Sequence, residues 1–197
     1  MLTPVSPPVL PETLVLRFRD LATDPGETID RHHDICAREG RVWWGWWHKA
    51  REHVPVAAFA HINERAKGDG LDIYLLNAHE RRVHRARLLK IHWKDDLEPF
   101  TSPFPWFTPG YYRGRRCKVW FELSKVEPDE MSFDPLNELV QVSVPEFFRG
   151  DDRGMVALFS TSQVISLVLA PLSVIMLFWL SRAPSAPSAP ATRPARA

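Results

Sequence analysis

Apolar and polar positions over Thr13 to Phe18, TLVLRF, alternate enough to predict a short strand. Residues 1–12 show no such period. Pro4, Pro7, Pro8 and Pro11 deny that lead-in both helix continuity and ladder donors, so it reads as disordered or polyproline chain. A helix start follows, with Asp24 as N-cap, Pro25 at the first helical position and Glu27 three residues after the cap. That helix runs to about Glu39, stops at Gly40, and centres on Ile29, His32, His33, Ile35 and Cys36. Val42 to Trp47, VWWGWW, reads as a strand whose alternation puts Trp44 and Trp46 on one face and Trp43 and Trp47 on the other.

Polar residues 48–53 lead to Val54-Pro55, and Val56, Phe59, Ile62 and Ala66 then form one stripe of a second amphipathic helix closing at Gly68. Leu71–Leu76 and Arg82–Trp93 read as two antiparallel strands joined through Asn77–Arg81. Asp95 to Gly110 is a long connection with four prolines and four aromatic residues, the kind of loop usually kept for function or motion. Cys117–Val126 resumes as strand and ends at Glu127-Pro128. Phe133–Val144 predicts a short helix from Asp134-Pro135 and then a short extended piece.

From Met155 to Leu180 no charged residue occurs for 26 positions, and Val164–Leu180 is nearly all apolar. Such a run predicts one transmembrane helix over 155–180, with Pro171 tolerated as a kink and Trp179 as a headgroup anchor. The alternative is a buried helix of a globular core, for which the run is too long and too apolar all round. Residues 181–197 are rich in Pro, Ala and Ser, carry Arg182, Arg193 and Arg196, and read as a disordered tail. The predicted organisation is therefore a lead-in over 1–12, an α+β domain over 13–150, a single-pass anchor over 155–180 with the lipid bilayer as its partner, and the tail. The tail arginines and the near-side Arg149 and Arg153 almost balance under the positive-inside rule. A lead-in without a positive n-region and two sparse cysteines favour a cytoplasmic domain with the tail translocated.

The chain has 197 residues and a net charge of +1, so it lacks the global polyelectrolyte character that bulk nucleic-acid binding requires. Cys36 and Cys117 have no CxxC spacing, and no GxSxG elbow, phosphate-cradling loop or HExxH helix occurs. No metal, cofactor or catalytic group is assigned. A hydrolase built on His32, His33 or Cys36 is the weakest class, because adjacent histidines on a helix point to different faces and nothing answers them with ligand spacing. Binding fits better. Arg81, Arg82, Arg85, Arg87 and Lys90 line one segment, and Arg113, Arg115, Arg116 and Lys118 another, interleaved with Tyr111, Tyr112 and Trp120. Such a surface serves as a solvated or lipid-facing patch, or holds phosphates while rings stack on a base. The four clustered indoles serve equally as core or as an aromatic wall for something flat or cationic. Phe104, Trp106 and Phe107, in the loop 100–112, are the anchors of an alternative, a membrane-tethered scaffold that docks a partner protein.

The order strand, helix, aromatic strand, helix and three antiparallel strands, ending in YYRGRRCKVWFELSKVEP, resembles the PUA-like superfamily, which includes EVE, ASCH and YTH domains, over roughly Leu14 to Pro128. The resemblance implies a small, mostly antiparallel PUA-like β-barrel of the α+β class with two flanking helices, here joined to one C-terminal transmembrane helix. It further implies a non-catalytic module that binds a nucleotide or modified base. Carried over residue by residue, Trp43, Trp44, Trp46 and Trp47 become pocket walls with Tyr112 and Arg113 at the rim. Arg85, Arg87, Arg115 and Trp120 join them from the basic surface. A membrane anchor departs from the usual soluble members and favours a sensor for a small nucleotide signal over a reader of bulk RNA.

Overall fold

The computed structural model describes residues 11–46, 53–77, 79–142 and 156–161. Seven strands and three helices occur among them: β1 (Thr13–Phe18), α1 (Glu27–Glu39), β2 (Val42–Gly45), α2 (Val56–Arg65), β3 (Leu71–Asn77), β4 (Arg82–Trp93), β5 (Val119–Val126), α3 (Asp134–Asn137), β6 (Leu139–Gln141) and β7 (Val156–Thr161). The strands form one sheet in the order β2-β5-β4-β3-β1-β7-β6. All neighbours are antiparallel except β1 with β3, whose register pairs Val15 with Tyr74 and Phe18 with Asn77. The α+β class and the β3–β4 hairpin stand as read from the sequence.

The sheet curls. β2 and β1 are separated by three strands, about 19 Å on a flat sheet at ~4.8 Å per step. Yet the rings of Phe18 and Trp44 meet edge to face at 5.3 Å. The main core fills the concave side, with Leu14, Leu16 and Phe18 of β1, Val42 and Trp44 of β2, Ile73 and Leu75 of β3, and Phe121 and Leu123 of β5. Both longer helices pack into this core, α1 through Ile29, Ile35 and Cys36 and α2 through Phe59 and Ile62. No ladder joins β2 to β1 among the described residues, so side chains, not backbone hydrogen bonds, bring these two strands together. The opposite face is covered twice. Leu136 and Leu139 cover Val15, Leu76 and Val83, while the connection after β4 covers Trp43 and Trp120.

Three expectations move. α1 begins at Glu27, not at Pro25, because Gly26 takes a left-handed φ of 85° and its amide is held by Asp20 Oδ2 at 3.0 Å. The capping carboxylate thus comes from six residues upstream, and Asp24 contributes only its main-chain oxygen, to the Glu27 amide. Val156–Thr161, the start of the long apolar run, is strand β7, paired with both β1 and β6. The segment 155–180 is therefore not helical throughout, and the domain does not end at residue 150. Residues 162–180 and the tail lie outside the described residues. No helix among the described residues is long and apolar enough to cross a membrane.

Gly45 shows how tightly β2 and β5 approach. A Cβ there would sit 2.9 Å from Cys117 Sγ and 3.0 Å from the Trp120 ring. Gly45→Ala is expected to cost about 1–3 kcal/mol through this overlap, as overpacked cores do. Cys117→Ala in the same chain should return part of that loss. Denaturant midpoints of the two variants check it, and an unchanged midpoint for Gly45→Ala would show that the strands are not packed this closely.

Candidate functional site

β2 places its tryptophans as alternation requires. Trp44 and Trp46 join the main core, and Trp43 joins the outer cluster with Tyr112, Cys117 and Trp120. All three described rings of β2 and its extension are buried, as is Trp120, so none offers an open face to solvent. Trp47 lies outside the described residues. Trp44 meets the ring of His32 at 4.3 Å in a tilted pair of 37°, and Trp43 is flanked by the edge of His92 at 4.6 Å and overlaid by Phe104 at 6.1 Å and 21°. Truncating a buried indole costs about 3–5 kcal/mol. That is a large part of the 5–15 kcal/mol by which domains are stable, so alanine variants at these positions report folding rather than binding. The three described indoles, Trp43, Trp44 and Trp46, are packed into the scaffold.

The outer cluster is built by the long connection. Phe100 and Cys117 exchange two backbone hydrogen bonds of 2.9 Å, closing the segment between them into a loop. Trp120 Nε1 donates to the Phe100 carbonyl at 3.0 Å, while Trp43 Nε1 has no partner. Pro105–Phe107 form one 3₁₀ turn at the tip, held by Thr108 Oγ1 donating to Phe104 O and by the buried hydroxyl pair Ser102 and Thr108. Beneath, Glu122 accepts from Arg41 at 2.9 Å and from His92 Nε2 at 3.2 Å. The His92 hydrogen bond, with Arg41 adding to it, holds this carboxyl below the usual range against the opposing cost of burial.

Where the loop returns towards β5, Tyr112, Gly114, Arg115, Arg116 and Cys117 line a concavity of about 270 Å³. Arg113 and Arg116 brace it by donating to the main chain, Arg113 Nε to Thr108 O at 3.1 Å and Arg116 Nε and Nη2 to Pro99 O at 3.0 and 2.6 Å. Burial pushes the Cys117 thiol up to about 12, and burial likewise raises the Tyr112 phenol, so both are neutral at the floor. A neutral floor under a cationic rim is suited to an anionic or dipolar ligand.

Of the expected site, Tyr112 and Arg115 line this concavity, with Trp43 and Trp120 behind it in the same cluster. Arg85 and Arg87 do not join them. β4 meets β5 with Ala86 opposite Val126 and Trp93 opposite Val119, so the two arginines lie seven residues along the strands, about 23 Å at ~3.3 Å per residue. Arg87 is engaged there by Asp72 at 2.8 Å and by Asp69 O. Gly114 and Cys117 were absent from the expected set, and Arg116 was named only on the basic surface. The run Arg113-Gly114-Arg115-Arg116 ahead of a strand was the available signal, a turn that splays cations to either side.

His32 is completely buried beside this region. Its Nδ1 donates to Thr28 O at 2.7 Å, which leaves the lone pair on Nε2, an atom with no hydrogen-bond partner. Desolvation by burial lowers its pKa to about 4, with the Thr28 and Trp43 carbonyls acting weakly the other way. His33 Nδ1 binds Val126 O, and burial raises the Cys36 thiol, whose Sγ faces Leu123 O. The residues offered for a hydrolase are thus each tied to main-chain oxygens, and no group of three metal-ligating side chains occurs among the described residues.

Residues 14–166 match the family model described as Pua-like, and the chain belongs to that family. The matched span takes in β7, in keeping with its place in the sheet. No curated protein and no solved structure matches the chain.

Because unfolded His32 titrates near 6.5 and the native ring only near 4, the unfolded chain binds the extra proton first as pH falls. Stability from this group is complete above about pH 6.5 and is lost towards pH 4, by at most about 3 kcal/mol. His32→Leu should flatten that part of the curve. Denaturation of both proteins at pH 7, 5.5 and 4.5 measures it, and equal acid losses would show that the native ring protonates in place.

Proposed function

We propose that this Pua-like domain is a non-catalytic binding module for a nucleotide or modified base, held at a membrane by the apolar run Val164–Leu180 and acting as a sensor. The observation that carries the reading is the concavity at Tyr112, Arg115 and Arg116. Its volume of about 270 Å³ falls just below the ~300–1,000 Å³ of small-molecule sites, which limits a ligand to about one monomer unit. Arg115 and Arg116 put positive charge at the rim for a phosphate, Arg116 while donating from Nε and Nη2 to Pro99 O, and the buried Tyr112 forms part of the neutral floor beneath them. The indoles of β2 serve this site from behind, by fixing Cys117 and Tyr112. A net charge of +1 speaks against extended nucleic acid, whose binding depends on many phosphate contacts.

The membrane part rests on sequence alone. Val164–Leu180 has 17 residues without a charge, the lower limit for a spanning helix. With the tail translocated, the domain faces the cytoplasm, where two unbridged buried thiols are at home.

Thermal shift and tryptophan fluorescence of the full chain against nucleoside monophosphates, cyclic nucleotides, dinucleotides and short RNA test the binding. A true ligand at a hundredfold excess over Kd raises stability by about 2.7 kcal/mol. Arg115→Ala and Arg116→Ala should each weaken it about 10–100-fold, the worth of a charge-assisted hydrogen bond. A folded protein that no compound in the panel shifts defeats the nucleotide reading.

A further inference from the structure

From Pro99 to Lys118 the chain carries four cations, Arg113, Arg115, Arg116 and Lys118, and no acid. At the tip of this segment Phe104 and Trp106 are 47% and 69% exposed, although large apolar side chains elsewhere in the domain are mostly buried. The tip is braced. The Phe100–Cys117 bridge, the Thr108 hydroxyl on Phe104 O, the buried Ser102–Thr108 pair and Arg116 on Pro99 O fix its base, so two rings are displayed from a preorganised turn.

We propose that this aromatic tip docks on an anionic lipid bilayer, with Phe104 and Trp106 entering the headgroup region while the neighbouring cations meet lipid phosphates. Indole is the side chain that settles at a water–lipid boundary, and cations without intervening acids complement such a surface. Pro103 and Pro105 on either side of Phe104 carry no amide hydrogen, so the tip brings few backbone donors to be desolvated. Size favours lipid over a protein partner. The two rings expose on the order of 250 Å², where a stable protein interface takes ~800 Å² from each side. Asp95, Asp96 and Glu98 stand at the entry to the loop and oppose a deep approach, so docking is shallow and needs a high anionic fraction. The contact goes beyond nucleotide binding and takes from the reading above only its tether. Val164 follows the last residue of β7, Thr161, by three positions, so a bilayer holding the apolar run keeps the domain near its surface and makes even a weak contact populated.

The test uses the full chain with vesicles of phosphatidylcholine alone or with one part in three phosphatidylserine, each with or without bromine on the acyl chains near the headgroup. The difference in fluorescence between the native chain and Trp106→Phe isolates Trp106. In anionic vesicles, brominated lipid should quench that component by more than half and protect it from acrylamide. Zwitterionic vesicles, or Phe104→Ser in anionic ones, should lose most of the quenching. Flotation reports the tether separately. Chains that float with anionic vesicles while Trp106 stays unquenched and open to acrylamide overturn the docking, leave the anchor, and return the two rings to a protein partner. Chains that float with neither vesicle overturn both, without bearing on nucleotide binding.

Discussion

An end strand that is apolar on both faces has to be covered twice. β2 is such a strand, with Trp44 and Trp46 towards the main core and Trp43 away from it. A ring of this size removes ~150–250 Å² from water, on the order of 4–6 kcal/mol of transfer free energy. Leaving Trp43 and Trp120 bare on the outer face would forfeit an amount comparable to the whole net stability of a domain. The long connection after β4 is therefore part of the fold. Phe104 lies over Trp43, Tyr112 packs edge to face on Trp120 at 6.1 Å, and Phe100 accepts the Trp120 indole hydrogen.

Covering a sheet with irregular chain creates a second problem, because carbonyls without a ladder need donors. Here arginines supply them, Arg113 to Thr108 and Arg116 to Pro99. The positive charge of Arg116 is then fixed at the concavity, beside the neutral Tyr112 and Cys117. The small thiol of Cys117 is what the close approach of Gly45 tolerates. Packing of β2, bracing of the loop and the character of the concavity are thus consequences of one another.

Local periodicity was legible in the sequence. The expected stripe located α2, which buries Phe59 and Ile62 but leaves Val56 exposed, Gly40 marked the end of α1, and alternation divided Trp43 from Trp44 and Trp46. What escaped was non-local. Asp20 capping Gly26, β7 adding to β1 across more than a hundred residues, and the distance between Arg85 and Arg115 all depend on strand order, which no local pattern encodes. The apolar run from Met155 conceals its first strand because a short apolar run reads equally as strand or as helix. Of the ten expected site residues, two line the concavity. Tyr112 and Arg115 are near in sequence to what they line, whereas the arginines of β4 were placed beside them only by the assumption that basic segments share a face.

The burial of the indoles also bears on where a ligand can reach the protein. A base that stacked on Trp43 would have to displace Phe104, and with it the hydrogen bonds that brace the turn, so its apparent affinity would fall by the fraction of molecules in which that turn is open. A ligand in the concavity meets Tyr112, Arg115 and Arg116 as they stand and opens nothing. Between two candidate sites backed by the same aromatic cluster, the one that needs no opening would carry the smaller cost of binding. Trp43, Trp44, Trp46 and Trp120 belong to the core, so a ligand of this domain would be met by side chains that the core leaves uncovered.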